Sequence, residues 1–526
     1  MTNAPRKLHL PRMGYVAVLL FAIAILGLIA SWFLFGEPHR AAPGIVILSL
    51  PALKPVGDEQ VRELCSRCHH LPGPDVLPKS AWPKTIWLMS TFSGFGANVQ
   101  FDVQPEAVVD WFIARAPDVL DLRPVEASQR LDPLRLKRRD TRIDGSDDIP
   151  FVSNVLLADL LGSSRPEIVV CDMKSGAILM GETDQPDWSL KPIGNVPFPA
   201  HAEAVDLDAD GRMDLVVAAL GSFSAMDHKL GSVQWLRQVD NGRFERHAIA
   251  EDLARVSDVQ PADLDSDGDV DLVVAEFGWR TTGHLILLEN RTEPGGKPAF
   301  VQLPIEGNHG ASHAAITDLD GDGSLDILTL YSQEIETVRC YFNRKGGWTE
   351  FLDLYRAPHP AWGHSGFEVV DIDGDGDADV LLTNGDTYDN SLLKPYHGVR
   401  WLENRGGLEF VPHELVTMYG AYRAEAADMD GDGDADIVVC ALAEQDNVDA
   451  QVDLSRFESL LWLEQVEPGR FVHHTLEVSR SHHPNLTLGD YDLDGDIDVF
   501  VGNGQFDDTG VPPGSSVVDI WENQLR

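Results

Sequence analysis

One nine-residue pattern fixes most of what this chain can fold into. Asp-x-Asp-x-Asp-Gly-x-x-Asp begins at Asp206, Asp263, Asp318, Asp371, Asp428 and Asp490, at spacings of 57, 55, 53, 57 and 62 residues. A period of this size signals a repeat architecture. The acidic positions are Asp206, Asp208, Asp210 and Asp214; Asp263, Asp265, Asp267 and Asp271; Asp318, Asp320, Asp322 and Asp326; Asp371, Asp373, Asp375 and Asp379; Asp428, Asp430, Asp432 and Asp436; and Asp490, Asp492, Asp494 and Asp498. Four carboxylates in nine residues repel one another unless a cation gathers them. Hard oxygen donors around a tight glycine turn suit Ca²⁺, so up to six calcium ions are expected. An EF-hand starts the same way but ends in Glu at position 12 and is flanked by helices. Position 12 here is Val217, Val274, Thr329, Leu382, Val439 or Val501, within β-branched apolar runs such as DLVVAA and DIVVCA. Those runs read as strands.

A seventh, decayed copy lies at residues 158–167, with Leu161 where the second carboxylate should be, so no tight calcium is expected there. Within one unit the pattern predicts an inner strand over 201–207, a second over 214–220, a third over 232–237, a turn at Asp240-Asn241-Gly242 and an outer strand over 244–249. Seven four-stranded units close into a propeller. The last unit stops after its third strand, at Ile520-Trp521-Glu522-Asn523-Gln524, which would leave a raw edge. A segment over about 130–143 is expected to supply the missing strand.

Residues 151–526 resemble the FG-GAP/VCBS repeats of integrin α-subunit heads. The resemblance implies a seven-bladed, mainly β propeller with calcium loops. It implies little about activity, because that fold serves adhesion, sugar-active enzymes and proteins of unknown role.

The position five residues before each first Asp is Asn154, His201, Asp258, His313, Gly366, Arg423 and Asn485. These should converge at one end of the central channel, with the calcium loops at the other. His201, Asp258, His313 and Arg423 are the candidates for a polar ligand pocket or a catalytic site there. A hydrated polar channel without a ligand is the plainer alternative.

Ahead of the repeats stands Cys65-Ser66-Arg67-Cys68-His69, the attachment pattern of c-type haem. Two thiols one helical turn apart can each add to a haem vinyl group, and the adjacent imidazole can bind the iron. A redox Cys-x-x-Cys pair or half a zinc site would not explain His69, and no second Cys-x-x-Cys completes a zinc ribbon. Residues 57–120 resemble a small all-α class I cytochrome c domain. Asp58 can cap a helix through the motif, and Pro105 opens another carrying Trp111 and Phe112. The resemblance implies His69 as one axial iron ligand and Met89, the only methionine between Met13 and Met173, as the other.

Residues 14–35 form a 22-residue stretch without charge, preceded by Arg6, Lys7 and Arg12. That length spans a bilayer, and the flanking cations keep the N-terminus in the cytoplasm. The expected order is a cytoplasmic tail (1–13), one transmembrane signal anchor (14–35), a linker (36–56), the cytochrome domain (57–120), a linker holding the closing strand (121–150) and the propeller (151–526). This places the protein at a bacterial inner membrane, single-pass, with its bulk in the periplasm. A cleaved signal peptide is the alternative. The formal net charge of −43 argues against nucleic acid as a partner. Cys171, Cys340 and Cys440 lie in apolar runs and are expected to be buried core residues.

Three functions are compatible with these features. The chain could be an electron-transfer cytochrome whose propeller docks a redox protein partner or a ligand. It could be a complete oxidoreductase whose funnel oxidises a small polar substrate such as a sugar. It could be an adhesion or scaffold propeller with an accessory haem.

Overall fold

The computed structural model describes residues 54–67, 69–92, 103–123, 134–144, 150–184, 189–292, 298–333, 335–345, 347–388, 390–443, 452–478, 480–505 and 516–525. The expected membrane span at 14–35, Cys68 and part of the interdomain linker lie outside them. Among the described residues no helix is long and apolar enough to cross a membrane.

Seven four-stranded antiparallel sheets form a propeller. Blades 1 to 6 cover residues 152–195, 199–253, 256–306, 311–356, 364–417 and 421–478, and each is built from strands consecutive in sequence. Blade 7 takes three strands from residues 485–522 and its fourth from Lys137–Asp140, which pairs antiparallel with Val518–Glu522 in the register Lys137↔Glu522 to Asp140↔Asp519. The ring therefore closes with strands from both ends of the propeller sequence. Arg138 adds ion pairs to Asp519 (2.9 Å) and Glu477 (3.3 Å).

The second strand of every blade is buried along its whole length, as in Asp214–Ala219 and Asp436–Ala441. It reads as a continuous apolar run because both faces of the sheet pack against neighbouring blades. Each of the seven blade junctions has its own apolar core; Val216, Trp235, Val259 and Val274 join blades 2 and 3, and Val155, Leu179, Phe500 and Ile520 join blades 7 and 1. Cys171 and Cys440 lie in second strands and Cys340 in the third strand of blade 4, all fully buried and without disulfides.

A small helical segment precedes the ring. Helix α1 is Asp58–Cys65, α2 is Trp82–Phe92 and α3 is Pro105–Ile113. Their core is Val61, Leu64, Trp82, Ile86, Val108 and Phe112. Two details depart from the sequence reading. Gly57, not Asp58, caps α1, with the Gln60 side chain accepting from its N–H at 3.0 Å. Asp58 instead accepts from Trp111 Nε1 (2.7 Å) and pairs with Arg115 (2.9 Å), tying α1 to α3. Phe112 stacks on Trp82, with centroids 3.9 Å apart. The segment rests on blade 5: Tyr396 donates to Val76 O at 3.3 Å, and Ala361 and Leu392 pack against the helical core.

Candidate functional site

The acidic loops share one build. The first Asp accepts from the backbone N–H groups of positions 5 and 6; in blade 2 Asp206 receives Asp210 N (3.0 Å) and Gly211 N (2.9 Å). Position 6 is left-handed, at φ 86° in Gly211 and 98° in Gly495, which only glycine adopts without strain. Carboxylate oxygens of Asp206, Asp208 and Asp210 lie within 4.8 Å of one another, as do those of Asp371, Asp373 and Asp379. In four blades an arginine approaches the cluster: Arg237 reaches Asp208 (2.6 Å) and Asp210 (3.1 Å), Arg344 reaches Asp320 and Asp322, Arg291 comes within 3.8 Å of Asp267 and Arg165 within 3.9 Å of Asp492.

Position 9 also has a role that metal chemistry does not suggest. Asp214 is fully buried and accepts from Leu207 N (3.3 Å), Gln238 N (2.7 Å) and Trp235 Nε1 (2.8 Å). Asp379 likewise holds Ile372 N (3.1 Å) and Asn404 N (2.7 Å). Burial pushes the Asp214 carboxyl up to about 6 against those hydrogen bonds. Side-chain amides at the ends of the third strands fasten neighbouring blades in four cases: Gln238 Nε2 donates to Leu160 O (3.0 Å), Asn343 Nδ2 to Leu264 O (2.9 Å), Gln465 Nε2 to Ile372 O (2.9 Å) and Asn523 Nδ2 to Met429 O (2.8 Å). In blades 3 and 5 the equivalent Asn290 and Asn404 donate within their own blade, to Val270 O (3.0 Å) and Ala378 O (3.2 Å).

At the other end of the inner strands, blades 1 to 6 each carry a β-bulge one residue before the funnel position, for example between Pro199 and His201. Such bulges re-aim side chains. The funnel residues do converge. His201 lies 2.7 Å from Glu203 and 3.3 Å from Asp258; Asp258 also accepts from Ala314 N at 2.8 Å. Arg423 pairs with Glu425 (3.4 Å), and Asn154 and Asn485 accept from Ala202 N and Val155 N of the adjoining blades. Burial alone would lower the His201 pKa, but Asp258 and Glu203 overcome it and hold the imidazolium up to about 9. Burial lowers His313 to about 4, helped by Arg423 and His201, and its Nδ1 is buried without a hydrogen-bond partner. Most axial polar groups therefore satisfy one another across blades.

A cavity opens on this same end, between the helical segment, blade 4 and the crossing into blade 5. Its volume is about 540 Å³, within the ~300–1,000 Å³ typical of cofactor pockets. Ser66, Arg67, His69 and His70 form one wall. The propeller wall includes Arg339, Arg356, His359 and Pro360. Glu336 pins that wall: its carboxylate accepts from Gly363 N (3.2 Å) and His364 N (3.0 Å), and its carbonyl from Ala357 N (2.9 Å). His69 Nδ1 sits 2.8 Å from His70 O. A carbonyl only accepts, so Nδ1 carries the proton and Nε2 keeps its lone pair. Met89 is half-buried on α2 and is not among the lining residues. Sequence reasoning did not find His359, Arg339 or Arg356; no local motif marks them.

Residues 206–274 and 318–382 match the family of FG-GAP-like repeats. The chain thus carries FG-GAP repeats on a seven-bladed propeller. Solved structures similar to it include two crystal structures of BBS1N in complex with ARL6DN. The one soaked with lead is 13% identical with a TM-score of 0.41, covering 73% of this chain and 95% of that one. The one soaked with mercury is 13% identical with a TM-score of 0.43, covering 75% and 97%. No curated protein matches the chain.

Proposed function

We propose that this protein is a membrane-anchored periplasmic c-type cytochrome that transfers electrons through one covalently bound haem, with a calcium-stabilised propeller that binds a redox partner or ligand. The observation that carries the reading is the cavity walled on one side by Ser66, Arg67, His69 and His70, within and beside the haem-attachment motif. Cys65 and Cys68 would hold the porphyrin as thioethers. His69 would bind iron through Nε2, since its Nδ1 proton is engaged by the His70 carbonyl, a contact that fixes the ring's orientation as in metal-bound histidines. Arg339 and Arg356 line the cavity, where both are paired with Asp353, at 2.6 and 2.7 Å. Bound haem would supply one-electron transfer by iron. The loop carboxylates would hold Ca²⁺ through positions 1, 3 and 5, completed by position 9.

The electron-transfer reading ranks above a sugar-oxidising funnel because most of the axial groups pair with one another, His313 Nδ1 and Arg423 Nε being exceptions among the described residues. Expression with the haem-attachment machinery, then a haem-stained denaturing gel, tests it. Haem should stay with the full-length chain and vanish in Cys65→Ala/Cys68→Ala. A wild-type chain without haem refutes the reading.

A further inference from the structure

The sixth iron position is the open question within that reading, and the inference here rests on it. We propose that the propeller supplies that ligand: His359, from the crossing between blades 4 and 5, lines the cavity from the propeller side and takes the place that the cytochrome resemblance implies for Met89.

Three observations support this. First, His69 and His359 line one cavity, from the helical segment and the propeller respectively. His70 lines it too but adjoins His69 and shares its wall. Second, His359 is only 8% exposed, so its imidazole is held in the protein and not in bulk solvent. Third, the ring is held in place. It meets Trp362 edge-on at 5.1 Å and Tyr396 at 4.8 Å, and those two rings stack at 5.0 Å and 7°. Tyr396 in turn donates to Ala361 O (3.1 Å) and Val76 O (3.3 Å), joining the box to the helical segment. A ligand in such a box is pre-organised. The haem would thereby bridge the two parts of the chain, and its coordination would report on their docking.

The test is the spectrum of the ferric full-length protein. The wild type should be low-spin and lack the far-red methionine–iron charge-transfer band. His359→Ala should turn high-spin and bind added imidazole at least tenfold more tightly, whereas Met89→Leu should leave the spectrum unchanged. His359→Met keeps a buried ligand and should gain the far-red band. A low-spin spectrum retained in His359→Ala, a high-spin Met89→Leu or a far-red band in the wild type overturns the assignment while leaving the haem reading intact. A wild-type chain without covalent haem overturns both.

Discussion

The two ends of the propeller differ in kind. At one end, six loops gather aspartates at the surface, each built from nine consecutive residues. At the other, a cavity takes its walls from the segment just after α1, blade 4 and the crossing into blade 5, and its lining includes arginines and histidines. The acidic end is repeated and local; the cavity is assembled over long range. The decayed loop of blade 1 shows what the repeated end requires. Glu167 fills the ninth position and still accepts from Leu160 N (2.8 Å) and Leu161 N (3.0 Å), although the carboxylate at position 3 is gone. A ninth-position carboxylate is therefore kept in its hydrogen-bonding role even where the third-position one is lost.

The most severe way to break the contrast is to open the ring on which both ends depend. Deleting residues 134–144 should expose the edge strand Val518–Glu522 and abolish cooperative unfolding, with aggregation seen by light scattering. Next, Asp379→Ala should lower stability by about 3 kcal/mol by orphaning two buried N–H groups. Asp373→Ala in the same loop should stay within about 0.5 kcal/mol in chelator, as surface substitutions do. Denaturant melts distinguish the two. Calcium at about one hundred times its dissociation constant should add about 2.7 kcal/mol per bound site. The Asp373→Ala variant should lose one site's worth of that gain, measured by thermal melts with and without chelator.

The smallest expected effect is on pH. The folded pKa of His201 is raised from 6.5 to about 9, so the folded state binds the proton more tightly. Its contribution is fully present below 6.5 and is lost as pH rises through 9. His201→Gln should flatten the fall in stability across that window. His313 has the opposite sign: its pKa is lowered to about 4, so its neutral form contributes above 6.5 and that contribution is lost as pH falls toward 4.

The ring was legible in the sequence because its period, its glycine turns and its buried second strands are all local signals. The closing strand was legible by subtraction, since a last blade with three strands needs a fourth. Helix α2 was missed although Trp82 and Ile86, four residues apart, both face its core. The inter-blade amide clamps were missed because Gln238 and Leu160 meet only across a blade junction. The cavity was half legible. Its Cys-x-x-Cys-His wall is a motif, but His359 follows His69 by 290 residues and acquires meaning only once the propeller turns the blade 4–5 crossing toward α1.

The central claim is that a haem sits between α1 and blades 4 and 5. Resonance Raman spectroscopy of the ferric full-length protein, matured with covalent haem, tests it most directly. The account predicts a six-coordinate low-spin iron that becomes five-coordinate when the propeller is unfolded but the Cys-x-x-Cys-His attachment is intact. An iron whose coordination is indifferent to the propeller, or a purified chain with no iron porphyrin, would contradict it.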